Sequence, residues 1–238
     1  MDKTLEERRI SAPRHHANRG AVARHEGRRF AVGYTPGPHS AWWHFGCWWL
    51  GRDASGGFLA KRPLVAGLER EYVQRITEDC RRRGFQTTLK APFDVARHAS
   101  AADVYLRTAL LARELEPIAL PRLTLAAVNG RAALVPAAPA PDIPLLSQRC
   151  AAAFAGLSVR SQWSFLQAFD GIHFPLTCAL PAPETERVIE ALSPLVDRLN
   201  VEALDLDALS LFVQATPASP FVLARRYGFD ESVEIYCD

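Results

Sequence analysis

Two ten-residue stretches, GFQTTLKAPF from Gly84 and GIHFPLTCAL from Gly171, superpose from their glycines. The superposition sets His173 beneath Gln86, Pro175 beneath Thr88 and Thr177 beneath Lys90, 87 residues apart in the chain. Side chains alternate along a strand, so Gln86, Thr88 and Lys90 share one face. Two such strands so far apart predict a chain of two related halves, each supplying one strand to a shared cleft.

The remaining pattern fills in an α+β chain. RRFAVGYTP alternates, is rich in β formers and runs into Pro36-Gly37-Pro38, which reads as a strand and a turn. SAWWHFGCWWLGRD follows with apolar residues at helical spacing, Ser40 as N-cap and Gly51 as stop. Residues 69–83 read as a basic helix and 85–90 as the first motif strand. Ser100 caps a helix over 101–115. Strands near 118–127 and 131–136 are joined by Asn129-Gly130, a hairpin signal. The Pro/Ala-rich PAAPAPDIP connects to a helix over 143–155, His173–Leu180 reads as a strand, and Thr185–Leu199 as a helix with acids in its first turn. Two final strands fall in VEALDLDALSLFVQ and PFVLARRYGF. Hairpin signals dominate and no Gly-rich phosphate loop opens a helix, so mostly antiparallel sheet is expected.

Composition enters through what it excludes. At 238 residues the chain can bury a sizeable core, and a net charge of +2 gives no argument for nucleic acid or membrane. No apolar run is long enough to span a bilayer or to serve as a signal-peptide core. Five scattered cysteines without a Cys-x-x-Cys pair read as reduced thiols of a cytoplasmic protein. Residues 1–29 carry much of the positive charge with few apolar residues, and read as a disordered basic tail. The histidines show no zinc-site spacing, and the expectation is no metal and no cofactor.

YTPGPHSAWWHFGCWWLGRD, VAGL, RRGFQTTLKAPF, ALVPAAPAP, IHFPLT and DALSLFVQATPASPFVLARRY, in that order and spacing, carry a resemblance. The chain resembles an uncharacterised family of bacterial phosphonate-metabolism operons, found beside carbon–phosphorus lyase genes, which is a branch of the two-histidine phosphoesterases. The resemblance covers nearly all of residues 30–229, with a shortened stretch at about 156–170. It implies one bilobal domain over 30–238, built with a pseudo-two-fold relation around a central cleft. Its first motif strand lies at 85–90 and its second at 172–178.

In that superfamily each lobe presents a His-x-Thr/Ser strand. One imidazole activates water or a substrate hydroxyl, and the other protonates the leaving oxygen of a phosphodiester. Two imidazoles suit these roles near neutral pH without a metal. Here the first histidine falls on Gln86, which cannot exchange a proton, while the hydroxyl and the following lysine are kept as Thr88 and Lys90. The second histidine is kept as His173, its hydroxyl position falls on Pro175, and Thr177 stands one alternation further on.

The expectation is therefore a small polar or phosphate-ester substrate in the cleft, with His173 and Gln86 as the catalytic pair and His173 the sole acid/base. Thr88, Lys90 and Thr177 stand as substrate contacts. Trp42 and His44 are further candidates, although the tryptophans Trp42, Trp43, Trp48 and Trp49 read first as core packing. The alternative is a protein without catalysis that keeps the cleft for ligand binding or an accessory role.

Overall fold

In the computed structural model, which describes residues 28–59, 64–159 and 171–237, the alternating stretch after Arg28 forms strand β1 (Arg29–Tyr34). Helix α1 (Ala41–Leu50) begins at Ser40, whose hydroxyl oxygen accepts from the Trp43 N–H at 3.1 Å. It ends at Gly51, in the left-handed region at φ 63°. A short hairpin follows, β2 (Arg52–Asp53) and β3 (Gly57–Phe58).

The basic helix expected over 69–83 is divided at Thr77 into α2 (Arg70–Ile76) and α3 (Glu78–Arg83). The Thr77 hydroxyl donates to the Val73 carbonyl at 2.8 Å, closing the first piece while the chain turns into the second. Gly84 at φ 86° ends α3, and strand β4 (Thr87–Val95) starts two residues later than its alternation predicts.

Helix α4 (Ala101–Arg113) opens on a reciprocal Ser100–Asp103 capping box. Then come β5 (Ile118–Ala119) and the hairpin of β6 (Leu123–Val128) with β7 (Arg131–Pro136). Asn129 and Gly130, at φ 50° and 71°, make the turn with the twist such a hairpin needs. Helix α5 (Asp142–Ala153), β8 (Ser158–Val159), β9 (Phe174–Pro175) and α6 (Ala182–Leu199) follow. The chain continues with β10 (Asp205–Leu206), β11 (Ala208–Gln214), β12 (Val222–Gly228) and β13 (Val233–Ile235).

The fold is α+β with antiparallel sheets, as the hairpin signals indicate. One sheet has six strands in the order β13-β12-β11-β1-β4-β8, and a second has three, β6-β7-β9. The two motif segments thus belong to different sheets, β4 in the larger and β9 in the smaller. The eight-residue strand expected at His173–Leu180 is pared to two ladder residues. Pro175 has no N–H to give the ladder. Beyond it the Leu176 and Leu180 amides donate to the Ala132 and Gly130 carbonyls, while that of Cys178 turns away to Ile76 at 2.6 Å.

What joins the two sheets is aromatic. Phe85 and Phe174, each next to a motif residue, stack with centroids 5.0 Å apart, and Tyr34 meets Phe174 edge-on at 6.1 Å. Trp49 donates its indole N–H to the Leu176 carbonyl at 2.9 Å and fastens α1 to the same segment. Gly46 lets α1 approach, since a Cβ there would overlap the Phe85 ring. Gly46→Ala sets two effects against each other. Replacing glycine inside a helix gains about 1 kcal/mol, and overpacking a fixed ring costs about 1–3 kcal/mol. Phe85 is held by Phe174, so the clash should win. A lowered urea midpoint is the expected result, and a raised one would show that the ring yields.

Candidate functional site

Between the two motif segments lies a cavity of about 370 Å³. Arg83, Gln86 and Thr88 reach it from the end of α3 and the start of β4, and Gly171, His173 and Pro175 from the approach to β9. Pro144, Ser147, Gln148 and Ala151, on one face of α5, form a further wall, and Ala31, Leu89, Pro92 and Phe221 complete the lining. The two motif segments touch directly, because the His173 backbone N–H donates to the Thr87 hydroxyl at 3.4 Å.

Gln86 does not present itself as its position in the motif suggests. Its side chain is 5% exposed, and its amide N–H donates to the Arg83 carbonyl at 3.1 Å. Its Oε1 lies against Gly33, where any Cβ would collide with it, and has no hydrogen-bond partner among the described residues. One N–H of its amide is thus committed to the backbone.

His173 is partly buried. Burial lowers its imidazole below the ordinary value of 6.5, with the Arg83 and Arg131 charges acting the same way and a hydrogen bond to the Gly171 backbone opposing them. The ring is therefore neutral near pH 7, and a neutral imidazole can take a proton but has none to give as an acid. Arg83 adds a guanidinium at the cavity with no ion pair or side-chain hydrogen bond among the described residues.

Of the residues singled out from sequence, Gln86, Thr88 and His173 come together here, and four others do not. Lys90 is half-buried on β4 with its ammonium 5.7 Å over the Phe93 ring, and burial lowers its pKa. Thr177 is 0% exposed, and its hydroxyl oxygen accepts from the Ala132 N–H at 3.0 Å, so it serves the β7 backbone and not a ligand. Trp42, 1% exposed, belongs to the core, with its indole N–H donating to the Glu202 carbonyl at 3.4 Å. His44 is exposed on α1 and lies outside the cavity lining. An α-helix turns 100° per residue, so adjacency to aromatic residues in sequence put Trp42 and His44 on faces the cavity does not see.

Arg83, Ser147 and Gln148 are cavity residues that the sequence reading passed over. Arg83 had a signal, since it closes the Arg81-Arg82-Arg83 run immediately before the motif glycine. Ser147 and Gln148 had none, because only the packing of α5 onto β4 brings them near.

Other chemistries find less support. All five cysteines are free, and burial pushes the Cys80 and Cys150 thiols up to about 11 and about 12, far from a thiolate nucleophile. Among the described residues no three His, Cys, Asp or Glu side chains gather as a metal site, and no helix is long and apolar enough to cross a membrane. The basic segment before Arg28 lies outside the described residues, as does most of the stretch expected to be shortened near 156–170.

Comparison with known proteins places the chain. It is 30% identical over 216 residues to the ribose 1,5-bisphosphate phosphokinase PhnN of Laribacter hongkongensis (strain HLHK9), a match covering 83% of this chain and 51% of that protein. It is 26% identical over 230 residues to the protein of the same name from Janthinobacterium sp. (strain Marseille), covering 84% and 51%. The chain spans about half the length of these curated relatives. Among solved structures, E. coli LigT complexed with 3'-AMP matches 85% of this chain and 98% of its own, at 12% identity and a TM-score of 0.41. The family model described as "Protein of unknown function (DUF1045)" matches residues 88–164 and 165–222, more than half of the sequence and both motif segments' surroundings, and the chain belongs to that family.

Proposed function

We propose that the cavity receives a small phosphate ester and that His173 is its single proton-transfer group, acting as a base. The observation that carries this reading is the assembly of both motif segments around one cavity with a neutral-leaning imidazole and a guanidinium facing it. His173 would take a proton from water or a substrate hydroxyl as the new O–P bond forms. The leaving oxygen, with no second imidazole beside it, departs as the anion or takes its proton from solvent. The relatives' printed name, a kinase of a ribose bisphosphate, points to phosphorylated sugars as the substrate class. The resemblance to the two-histidine phosphoesterases points to ester cleavage or transesterification as the reaction.

A second reading, ligand binding without turnover, draws on Gln86, whose amide is committed to the Arg83 carbonyl. Turnover of bis(4-nitrophenyl) phosphate and of a ribose cyclic phosphodiester across pH separates the two. A catalytic base with a lowered pKa gives a rate that is flat above neutrality and falls on the acid side, with a midpoint below 6.5.

Stability should fall in the same direction. The folded pKa lies under the unfolded one, so this contribution is present above about pH 6.5 and is lost as pH falls through the folded value. Saturable ligand binding with no turnover at any pH would establish the binding protein, and an acid limb above 6.5 would remove His173 from the base role.

A further inference from the structure

Three consecutive carbonyls at the end of α3 are each held by a buried side chain. The Arg52 guanidinium donates to those of Arg81 at 2.8 Å and Arg82 at 3.3 Å, and the Gln86 amide donates to that of Arg83 at 3.1 Å. The Phe221 N–H adds a second bond to the Arg82 carbonyl at 2.8 Å, and the Gly84 N–H closes the turn on the Cys80 carbonyl at 2.8 Å. A helix end leaves its last carbonyls without intrahelical partners. Here the last turn is fixed from three sides, and the residue at its tip, Arg83, is partly exposed and lines the cavity, with no counter-charge among the described residues.

Gln86 cannot shift freely to serve a ligand. Its Oε1 is wedged over Gly33 and one of its two amide N–H donors is held by the Arg83 carbonyl. We propose that Arg83 is the residue that receives the anionic group of the ligand, and that Gln86 is a positioning residue that holds the Arg83 backbone so that its guanidinium meets that anion. This rests on the reading of the cavity as a phosphate-ester site. It gives Gln86, where the first motif histidine of the resembled superfamily would fall, a different role, that of fixing a cation. A guanidinium is suited to the task, because its planar fork bonds two phosphate oxygens at once.

Inorganic phosphate is the probe, and its dissociation constant, read by titration calorimetry, is the measurement. The unmodified protein should bind it saturably, and binding should weaken as ionic strength rises. Arg83→Gln should weaken it by about tenfold or more, as loss of a charged hydrogen-bonding partner does. Arg83→Lys, which keeps the charge without the fork, should fall between the two. Gln86→Met keeps the bulk and removes the donor, and should weaken phosphate by a few-fold while Arg83 remains. Val188→Ala, buried in α6 and remote from the cavity lining, should lower the melting temperature and leave phosphate affinity unchanged.

The outcomes are distinguishable. No phosphate binding by the unmodified protein would overturn the phosphate-ester reading and this proposal with it. Binding that survives both Arg83 variants undiminished would overturn the assignment of Arg83 alone. Wild-type affinity in Gln86→Met, or an equal loss in Val188→Ala, would overturn the positioning role of Gln86.

Discussion

Arg52→Met should cost the fold about 3–5 kcal/mol, the size of loss seen when one partner of a buried charged network is removed. Arg52 is 2% exposed, and its guanidinium donates to the carbonyls of Arg81, Arg82 and Phe221. Burial lowers its pKa to about 10, so it remains charged near neutrality. An apolar side chain of similar length sometimes replaces a buried ion without loss, when both partners can be exchanged together. Here the partners are backbone oxygens, which no substitution removes. Leaving them buried and unpaired costs about 1–3 kcal/mol each.

The Arg82 carbonyl keeps the Phe221 N–H, so the penalty falls mainly on Arg81 and Phe221. A domain of this size typically has about 5–15 kcal/mol to lose. The midpoint of urea denaturation should therefore fall steeply, and the melting temperature by about 6–20 °C. Arg52→Lys, with one donor group in place of a fork, should recover only part of the difference. A loss within about 1 kcal/mol in Arg52→Met would mean that water or a local shift reaches these carbonyls and that the α3 terminus is not fixed by Arg52.

The parts of the molecule that were legible in sequence are those whose signals are local. Ser40 and Gly51 bracket α1, Ser100 opens α4, and Asn129-Gly130 turns the β6–β7 hairpin, because a cap or a positive-φ turn is decided by the residues that form it. The superposition of the two glycine-led stretches sets Gln86, Thr88 and His173 together, and all three line one cavity.

What was not legible depends on contacts between distant segments. The alternation of His173–Leu180 reads as one strand, yet the ladder takes two residues because Cys178 bonds to Ile76, which no local pattern reveals. Thr177 has the same polar character as a ligand contact and turns out to satisfy the Ala132 amide. The third strand of the C-terminal meander, β13, is three residues long and mostly exposed, too short for periodicity to register. Arg83 was hidden in a basic run that reads as a solvated helix face, and only the fixed end of α3 distinguishes it from Arg82, which donates to the Pro217 and Ala218 carbonyls at the surface.

His173→Ala should lower turnover of any phosphodiester by about 10²–10⁴-fold, the usual contribution of one positioned general catalyst. The proposed site, with His173 as base and no acid, also makes a sharper expectation. An ester whose leaving group is already stable as an anion, such as 4-nitrophenolate, needs no proton to depart, whereas an alkoxide does. The unmodified protein should thus cleave nitrophenyl diesters far better than alkyl or ribose diesters.

Gln86→His tests the same point from the other side. An imidazole at 86 has two nitrogens. One can go on donating to the Arg83 carbonyl, as the amide does now, and the other can exchange a proton, which the glutamine oxygen cannot. The gain should appear mainly for the poor leaving group, by up to about 10²-fold, and hardly at all for nitrophenolate. Adding Pro175→Thr should enlarge it beyond the product of the single changes, since groups serving one transition state act as a unit. Equal gains for both leaving groups would show that Gln86→His repairs binding and supplies no acid. Turnover that survives His173→Ala would place the base elsewhere in the cavity.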